Sequence, residues 1–194
     1  MFDVCRQEVR HGAVHILASL RPEGCCVQRH PHRAAESGLM LIYGIDPGYT
    51  GAITLYWPKT NDIEVYDMPT MPSAKGKTVL NMHGILEILQ PEGDEARVAF
   101  MEQVGAMRGQ GVSSMFRFGE QFGALQMALA ANETPMYLVT PQKWKKHFGL
   151  TRDKGVSRGL AMQRFPKYAD KFNRVKDDGR AEATLIALYG KEVM

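Results

Sequence analysis

The sequence predicts an α/β fold in which a mixed five-stranded sheet is flanked by helices. Short apolar or alternating runs typical of strands are interspersed with longer segments whose apolar residues recur at helical spacing. In chain order the segments read β-β-β-α-β-α-β-α-α-α, so helices lie between strands as well as after them. The chain of 194 residues, 44% of them hydrophobic, is long enough for one domain with a sizeable core.

The first three strands follow one another closely. Met40–Asp46 is a continuous apolar run closed by Asp-Pro-Gly, which is typical of a buried strand that ends in a tight turn. Gly51–Trp57 and Asp62–Met68 come next after short polar links, so we expect an antiparallel meander. Pro69–Lys77 is predicted as a loop.

The remaining segments alternate between helices, with apolar residues every three or four positions, and short apolar strands. The longest has Met115, Phe118, Phe122, Leu125 and Leu129 on one helical face. The predictions are helix Thr78–Leu89, strand Arg97–Glu102, helix Ser113–Ala131, strand Met136–Val139, and helices Pro141–Phe148, Arg152–Phe165 and Asp178–Tyr189.

All three cysteines precede Met40, so a disulfide framework is excluded for the remainder of the chain. Their spacing to the nearby histidines matches no zinc pattern. We interpret residues 1–39 as a disordered N-terminal extension, or as a stretch translated ahead of a start at Met40, and place the working domain at residues 40–194.

Charge is distributed unevenly along a chain whose formal net charge is only +3. Pro141–Lys176 contains eleven Lys and Arg but only two acids, Asp153 and Asp170. This excess of positive charge produces an electrostatic field that favours a polyanion and indicates nucleic acid as the partner. The alternative is a solvated basic face without a ligand. No apolar run of 18 residues is present, so a membrane protein is excluded. We expect a cytoplasmic protein, with organellar targeting by residues 1–39 as the alternative.

Carboxylates end the two most apolar strands, at Asp46 and Glu102. If these strands are neighbours, the two acids meet at one edge of the sheet. A carboxylate at the end of a buried strand needs a cation or hydrogen-bond donors. For Asp46 the alternative is capping of the turn that follows.

Asp178 and Glu182 lie at i and i+4 on the last helix, so they share a face. Four inward acids on two strands and one helix are typical of a Mg²⁺ site, because two-metal phosphodiester hydrolysis uses carboxylate ligands. The alternative for the helical pair is the ordinary preference of acids for helix N-termini.

Four motifs together resemble the RuvC-like Holliday junction resolvases, especially the phage-type crossover junction endodeoxyribonucleases: GIDPGYTGAI (44–53), MEQV (101–104), TPQKWKKHFG (140–149) and DDGRAEATLIALYG (177–190). The resemblance covers essentially all of residues 40–194 and implies a ribonuclease H-like fold, a homodimer, and paired nicking of a four-way DNA junction. It also implies Mg²⁺ as the cofactor, with Mn²⁺ as a substitute.

The resemblance assigns Asp46, Glu102 and Glu182 as catalytic metal ligands. The better-known family members have two acids three residues apart on the last helix, but here Gly179 stands three before Glu182. Asp178 is therefore predicted as the fourth ligand, with Asp177 as its substitute.

The resemblance also gives roles to basic residues. Lys145 and Lys154 correspond to lysines that contact DNA or assist at the scissile phosphate, and Lys154 with Arg158 forms an i, i+4 pair suited to a phosphate backbone. The glycine-rich loop Gly105–Gly111 enters the junction in the family, with Met107 or Phe116 as an apolar wedge. The predicted DNA contacts are Arg108, Lys143, Lys145, Lys146, Arg152, Lys154 and Arg158.

Trp144 is interpreted as a packing residue, with stacking on a DNA base as the alternative. Gly119 and Gly123 lie four apart on the long helix through which the family dimerises, and the alternative is that they pack closely on their own sheet.

Among other functions, an actin-like ATPase or kinase would need a second nucleotide-binding half, for which residues 40–194 leave no room. Two alternatives stay open: a non-catalytic junction-binding protein, and a nuclease of this fold that acts on other branched DNA or on RNA–DNA hybrid.

Overall fold

The computed structural model describes residues 40–90, 95–103, 105, 109, 111–151 and 154–194. The interpretation of residues 1–39 lies outside these ranges. The described elements are β1 (Met40–Asp46), β2 (Ala52–Trp57), β3 (Asp62–Asp67), β4 (Thr70–Pro72), β5 (Thr78–Leu80), α1 (Met82–Leu89), β6 (Ala96–Glu102), α2 (Val112–Ala131), β7 (Met136–Val139), α3 (Pro141–His147), α4 (Lys154–Arg164) and α5 (Asp178–Val193). Two short 3-10 helices, Pro166–Phe172 and Val175–Asp177, connect α4 to α5.

The main sheet has five strands in the order β3-β2-β1-β6-β7. β1 is antiparallel to β2, β2 is antiparallel to β3, and β6 runs parallel to both β1 and β7. The mixed five-stranded sheet and the antiparallel meander predicted from the sequence are confirmed. β1 lies at the centre, and its five residues Leu41–Ile45 are all buried.

Each face of the sheet carries its own hydrophobic core. On one face Ile42, Val98 and Phe100 pack with residues of α5, and on the other Tyr43 and Met101 pack with residues of α1 and α2. Every residue of α5 from position 181 to 190 is buried, because the helix lies between the sheet and helices α3 and α4. Across the described ranges, no helix is both long and apolar enough to cross a membrane.

Gly44 lets α5 approach the backbone of β1. A Cβ at this position would overlap the carbonyl oxygen of Ala183 and come within 2.6 Å of the backbone nitrogen of Ala187. The next strand is tied to the same helix by Thr54, whose hydroxyl lies 3.0 Å from that of Thr184. The absence of a side chain at Gly44 therefore fixes how closely the last helix packs on the sheet.

A small hairpin replaces part of a predicted loop and helix. Thr78–Leu80 pairs with Thr70–Pro72, so the prediction of a helix starting at Thr78 is wrong. The helix begins at Met82 because the Asn81 side chain accepts a hydrogen bond of 3.1 Å from the Gly84 backbone N–H. Asn at this position satisfies an N–H group that has no partner inside the helix.

We expect Gly44→Ala to lower the free energy of unfolding by about 3 kcal/mol, the upper end for overpacking, because the overlapping atoms are backbone. The matched control is Gly159→Ala on α4, where a Cβ meets no atom within 4 Å; it should leave stability unchanged or raise it by about 1 kcal/mol. Urea denaturation measures both changes. Equal stability of the two variants would refute the close approach.

Candidate active site and nucleic-acid interface

Two carboxylates stand side by side at one edge of the sheet. Asp46 is the last residue of β1 and Glu102 is the last residue of its parallel neighbour β6. Ile45 pairs with Met101, so the next residues along each strand are these two acids. Period-2 alternation puts them on the face that Ile42 shares with α5. The expected meeting of the two strand ends is therefore present.

The start of α5 lies against the turn that follows β1. A Cβ on Gly179 would overlap the carbonyl oxygen of Thr50 and lie 2.9 Å from the Cα of Gly51. A side chain at position 179 therefore has no room, because the turn after β1 occupies its space. The contact places the first turn of α5, which carries Asp178, against the turn that follows Asp46.

Helix α3 holds two of the acids with consecutive residues. The Trp144 indole donates from Nε1 to Glu102 Oε1 at 2.9 Å, and Lys145 Nζ donates to Glu182 Oε1 at 2.8 Å. Lys145 Nζ also lies 4.9 Å from the centre of the Trp144 ring, within cation–π distance. These contacts link Glu102 on the sheet to Glu182 on α5 through a single turn of α3.

Asp178 has a cation of its own. Arg158 on α4 donates from Nε to Asp178 Oδ1 at 2.9 Å, and both side chains are 19% exposed. Asp178 and Glu182 are like charges one turn apart, which repel in isolation. Arg158 and Lys145 offset this repulsion by pairing with one acid each.

Asp177 differs from its neighbour in burial and in partners. Its side chain is only 2% exposed and accepts hydrogen bonds from the backbone N–H and the guanidinium of Arg174, while Arg180 lies 3.7 Å away. Burial would raise the pKa of Asp177, but the hydrogen bonds from Arg174 outweigh it and leave the pKa below its ordinary value. Asp177 is therefore tied to the segment that leads into α5.

Arg180 extends this network to the sheet. Its guanidinium binds both carboxylate oxygens of Asp67, the last residue of β3, at 2.5 and 2.6 Å. The hydrogen bond from Arg180 to Asp67 raises the pKa of the arginine above its ordinary value. The start of α5 thus contacts β3 through Arg180 as well as the turn after β1 through Gly179.

The four predicted ligands are all carboxylates. Lys145 is paired with Glu182, and Arg158 is paired with Asp178. Oxygen-only donors are the chemistry that Mg²⁺ prefers. Within the described part of the chain, no three His, Cys, Asp or Glu side chains are grouped closely enough to hold a metal ion as they stand.

The predicted DNA contacts fall into three groups: exposed lysines, cations paired with acids of the site, and residues whose side chains lie outside the described ranges. Lys143 and Lys146 are exposed on α3, whereas Lys145 and Arg158 are paired with acids of the site. Lys154 is the first residue of α4, but its side chain, like Arg108, Arg152 and Met107, lies outside the described residues. Phe116, the other predicted wedge, is 74% exposed near the start of α2.

One face of α2 is apolar and exposed. Val112, Phe116 and Met127 are 79%, 74% and 67% exposed, and Gly119 and Gly123 lie between them on the same face. A Cβ on either glycine would meet no atom within 4 Å. The alternative that these glycines pack on their own sheet is therefore wrong.

The interactions of Trp144 and Arg158 with the acids were not predicted from the sequence. Trp144 is fully buried, which confirms its interpretation as a packing residue, and its N–H also reaches Glu102. A signal was present, because a buried indole N–H usually finds an acceptor. Nothing in the sequence identified the acceptor.

The structure has the fold of RuvC. Thermus thermophilus RuvC in complex with a Holliday junction substrate matches with a TM-score of 0.52 and 17% identity, over 77% of this chain and 91% of that chain. Another structure of Thermus thermophilus RuvC matches with a TM-score of 0.50 and 16% identity, over 79% of this chain and 96% of that chain. No protein-family model and no curated protein sequence matches the chain.

The different partners of Asp177 and Asp178 predict different effects of their removal. Asp177→Asn should lower the free energy of unfolding by about 1.5–3 kcal/mol, because charged hydrogen bonds to a buried carboxylate are lost. Asp178→Asn should change it by less than about 1 kcal/mol, since the pair with Arg158 is partly solvated and a repulsion with Glu182 is relieved. Thermal or urea unfolding without divalent ions gives both values. Equal losses would contradict the assignment of Asp177 to a structural role.

Proposed function

We propose that this protein is a metal-dependent, structure-specific endodeoxyribonuclease that resolves four-way Holliday junctions by paired, symmetric nicks. The observation that carries the proposal is the set of acids at one edge of a RuvC-like sheet: Asp46, Glu102, Asp178 and Glu182 come from two neighbouring strands and the helix packed on them. The basic helices α3 and α4 lie directly beside these acids. A hydrolase for a polyanion needs both features.

Mg²⁺, or Mn²⁺ in its place, fits the donor set of this site. Asp46, Glu102, Asp178 and Glu182 would hold it, because hard divalent cations take carboxylate oxygens. A bound divalent cation supplies the positive charge that activates water and stabilises the leaving 3′ oxygen of a phosphodiester. Asp177 is left out of the ligand set because its carboxylate is bound by Arg174.

Lys145 and Arg158 have two functions in this proposal. In the absence of a divalent ion they form ion pairs with Glu182, which is buried, and with Asp178, which is half-buried. A divalent cation held by the same carboxylates would compete with both ion pairs, which would leave Lys145 and Arg158 available to contact phosphate. Lys143 and Lys146, exposed on α3, extend the positive surface along the DNA.

Residues outside the described ranges complete the proposed DNA surface. The sequence predicts that Arg108, Arg152 and Lys154 contact phosphate and that Lys154 also assists catalysis. Their positions in the chain support this role, because 108 follows the strand of Glu102 and 152–154 lead into the helix that carries Arg158.

A homodimer fits the two-fold symmetry of a four-way junction. The apolar face of α2 supports it, since Val112, Phe116 and Met127 are exposed to a degree unusual for large apolar side chains. Gly119 and Gly123 would let a second copy of the helix come close.

Cleavage of a labelled four-way junction tests the proposed activity directly. With Mg²⁺ the wild type should nick two opposing strands, while a matched linear duplex and an RNA–DNA hybrid stay intact, and EDTA should abolish all cutting. Asp46→Asn should reduce the rate about a thousandfold, because several kcal/mol of charge stabilisation are lost, and should bind the junction as tightly as the wild type or more so.

The control is Asp170→Asn, which removes an exposed carboxylate from the 3-10 helix Pro166–Phe172 and should cut at the wild-type rate. Near wild-type cutting by Asp46→Asn would refute the metal-ligand assignment. Cutting of the hybrid would retain a nuclease but change its substrate, and tight junction binding without any cutting would indicate a non-catalytic binder.

We expect the wild type to sediment as a dimer at micromolar concentration and Met127→Glu to sediment as a monomer, since a charge in an apolar interface is desolvated without a partner. Val175→Glu is the control, because Val175 is 75% exposed but lies outside α2. Sedimentation velocity distinguishes the two states. A wild-type monomer, or a Met127→Glu dimer of unchanged stability, would exclude this face as the interface.

A further inference from the structure

We propose that Trp144 is a positioning residue for Glu102, and that its indole N–H orients this carboxylate for a divalent cation. The inference rests on the proposed function, because it assigns to Glu102 the role of a metal ligand. It goes further in naming a neutral aromatic side chain as the group on which metal affinity depends.

The donor is held rigidly. Trp144 is 0% exposed and packs in the core with Val139, Phe165 and Leu188. A fully buried ring in close-packed surroundings has one available orientation, so its N–H points in one direction. That direction ends on Glu102 Oε1 at 2.9 Å.

The acceptor is less buried than the donor. Glu102 is the last residue of β6 and is only half-buried, so a hydrogen bond to its carboxylate helps to fix its side-chain torsions. A hydrogen bond to Oε1 from a fixed donor sets the plane of the carboxylate and therefore the direction of the second oxygen. Outer partners of metal ligands act in this way, and their loss typically lowers metal affinity 10–100-fold.

Trp144 is chemically different from the other partners of the site. Lys145 and Arg158 are cations, so a divalent ion repels them and competes for their acceptor oxygens. The indole N–H is an uncharged donor that neither accepts a hydrogen bond nor titrates. Its contact with Glu102 is therefore compatible with a bound cation, whereas the two ion pairs are not.

The second tryptophan of the chain provides a matched control. Trp57 also donates from its indole N–H to a glutamate, Glu95 Oε2, at 3.3 Å. Trp57 ends β2, which is antiparallel to β1, so this bond lies at the edge of the sheet opposite to Asp46. Replacing either tryptophan by Phe removes the same type of hydrogen bond, but only one of the two bonds is at the proposed metal site.

Mn²⁺ binding to the protein without DNA tests the inference, with free Mn²⁺ counted by electron paramagnetic resonance. We expect Trp144→Phe to weaken binding about tenfold, Trp57→Phe to bind like the wild type, and Glu102→Gln to weaken binding at least as much as Trp144→Phe. Urea unfolding in EDTA establishes that each variant is folded. Equal affinity of the two Phe variants would overturn the inference.

A fluorescence measurement keeps Trp144 in place and so avoids any loss of folding. In Trp57→Phe protein the emission comes from Trp144 alone, and saturating Mg²⁺ should change it because the charge next to the indole is neutralised. The change should disappear when Glu102→Gln is added. Unchanged emission on saturation would overturn the inference.

The two proposals fail in different ways. If the wild type binds no Mn²⁺ at all, the proposed metal-dependent function fails and the inference fails with it. If the wild type binds Mn²⁺ and cleaves junctions while Trp144→Phe binds equally tightly, only the positioning role is refuted.

Discussion

The arrangement of the site depends on the close packing of α5 against β1. Two glycines permit it, Gly44 beneath the middle of the helix and Gly179 against the turn after β1. With no side chain between the backbones, the helix is buried on all sides and Glu182 retains only 7% of its exposure. An ionised group in such a place is costly unless donors or cations surround it. The backbone packing therefore creates the electrostatic requirement that the rest of the site meets.

Three kinds of partner meet this requirement. Asp177 is held by the arginines of its own connecting segment and of α5, so its charge stabilises the entrance to that helix. Glu182 and Asp178 are paired with single cations from α3 and α4. Glu102 accepts a hydrogen bond from a neutral indole. The two neighbouring aspartates, Asp177 and Asp178, thus differ in burial and in partners.

Local patterns failed where pairing between distant segments decided the structure. The apolar spacing of Leu80, Ile85 and Leu89 fits a helix. Leu80 nevertheless belongs to a strand, because Thr78–Leu80 pairs antiparallel with Thr70–Pro72. The cap at Asn81 then fixed the start of the helix. Similarly, the spacing of Gly119 and Gly123 did not distinguish packing on the sheet from an exposed face. A helical stripe shows which residues share a face but not what covers it.

The sequence by itself determined the order of the strands of the main sheet and of the long helices, the position of the acids at strand ends and on one helical face, and the basic character of α3 and α4. These properties depend on periods of two and 3.6 residues and on composition, which are local. Only the tertiary structure decided which group each acid binds. The donors of Glu102, Glu182 and Asp178 lie 42, 37 and 20 residues away along the chain. These partners depend on how closely the helices pack on the sheet. For α5 that distance is set by backbone contacts at Gly44 and Gly179. The spacing of apolar side chains along the sequence does not predict such backbone contacts.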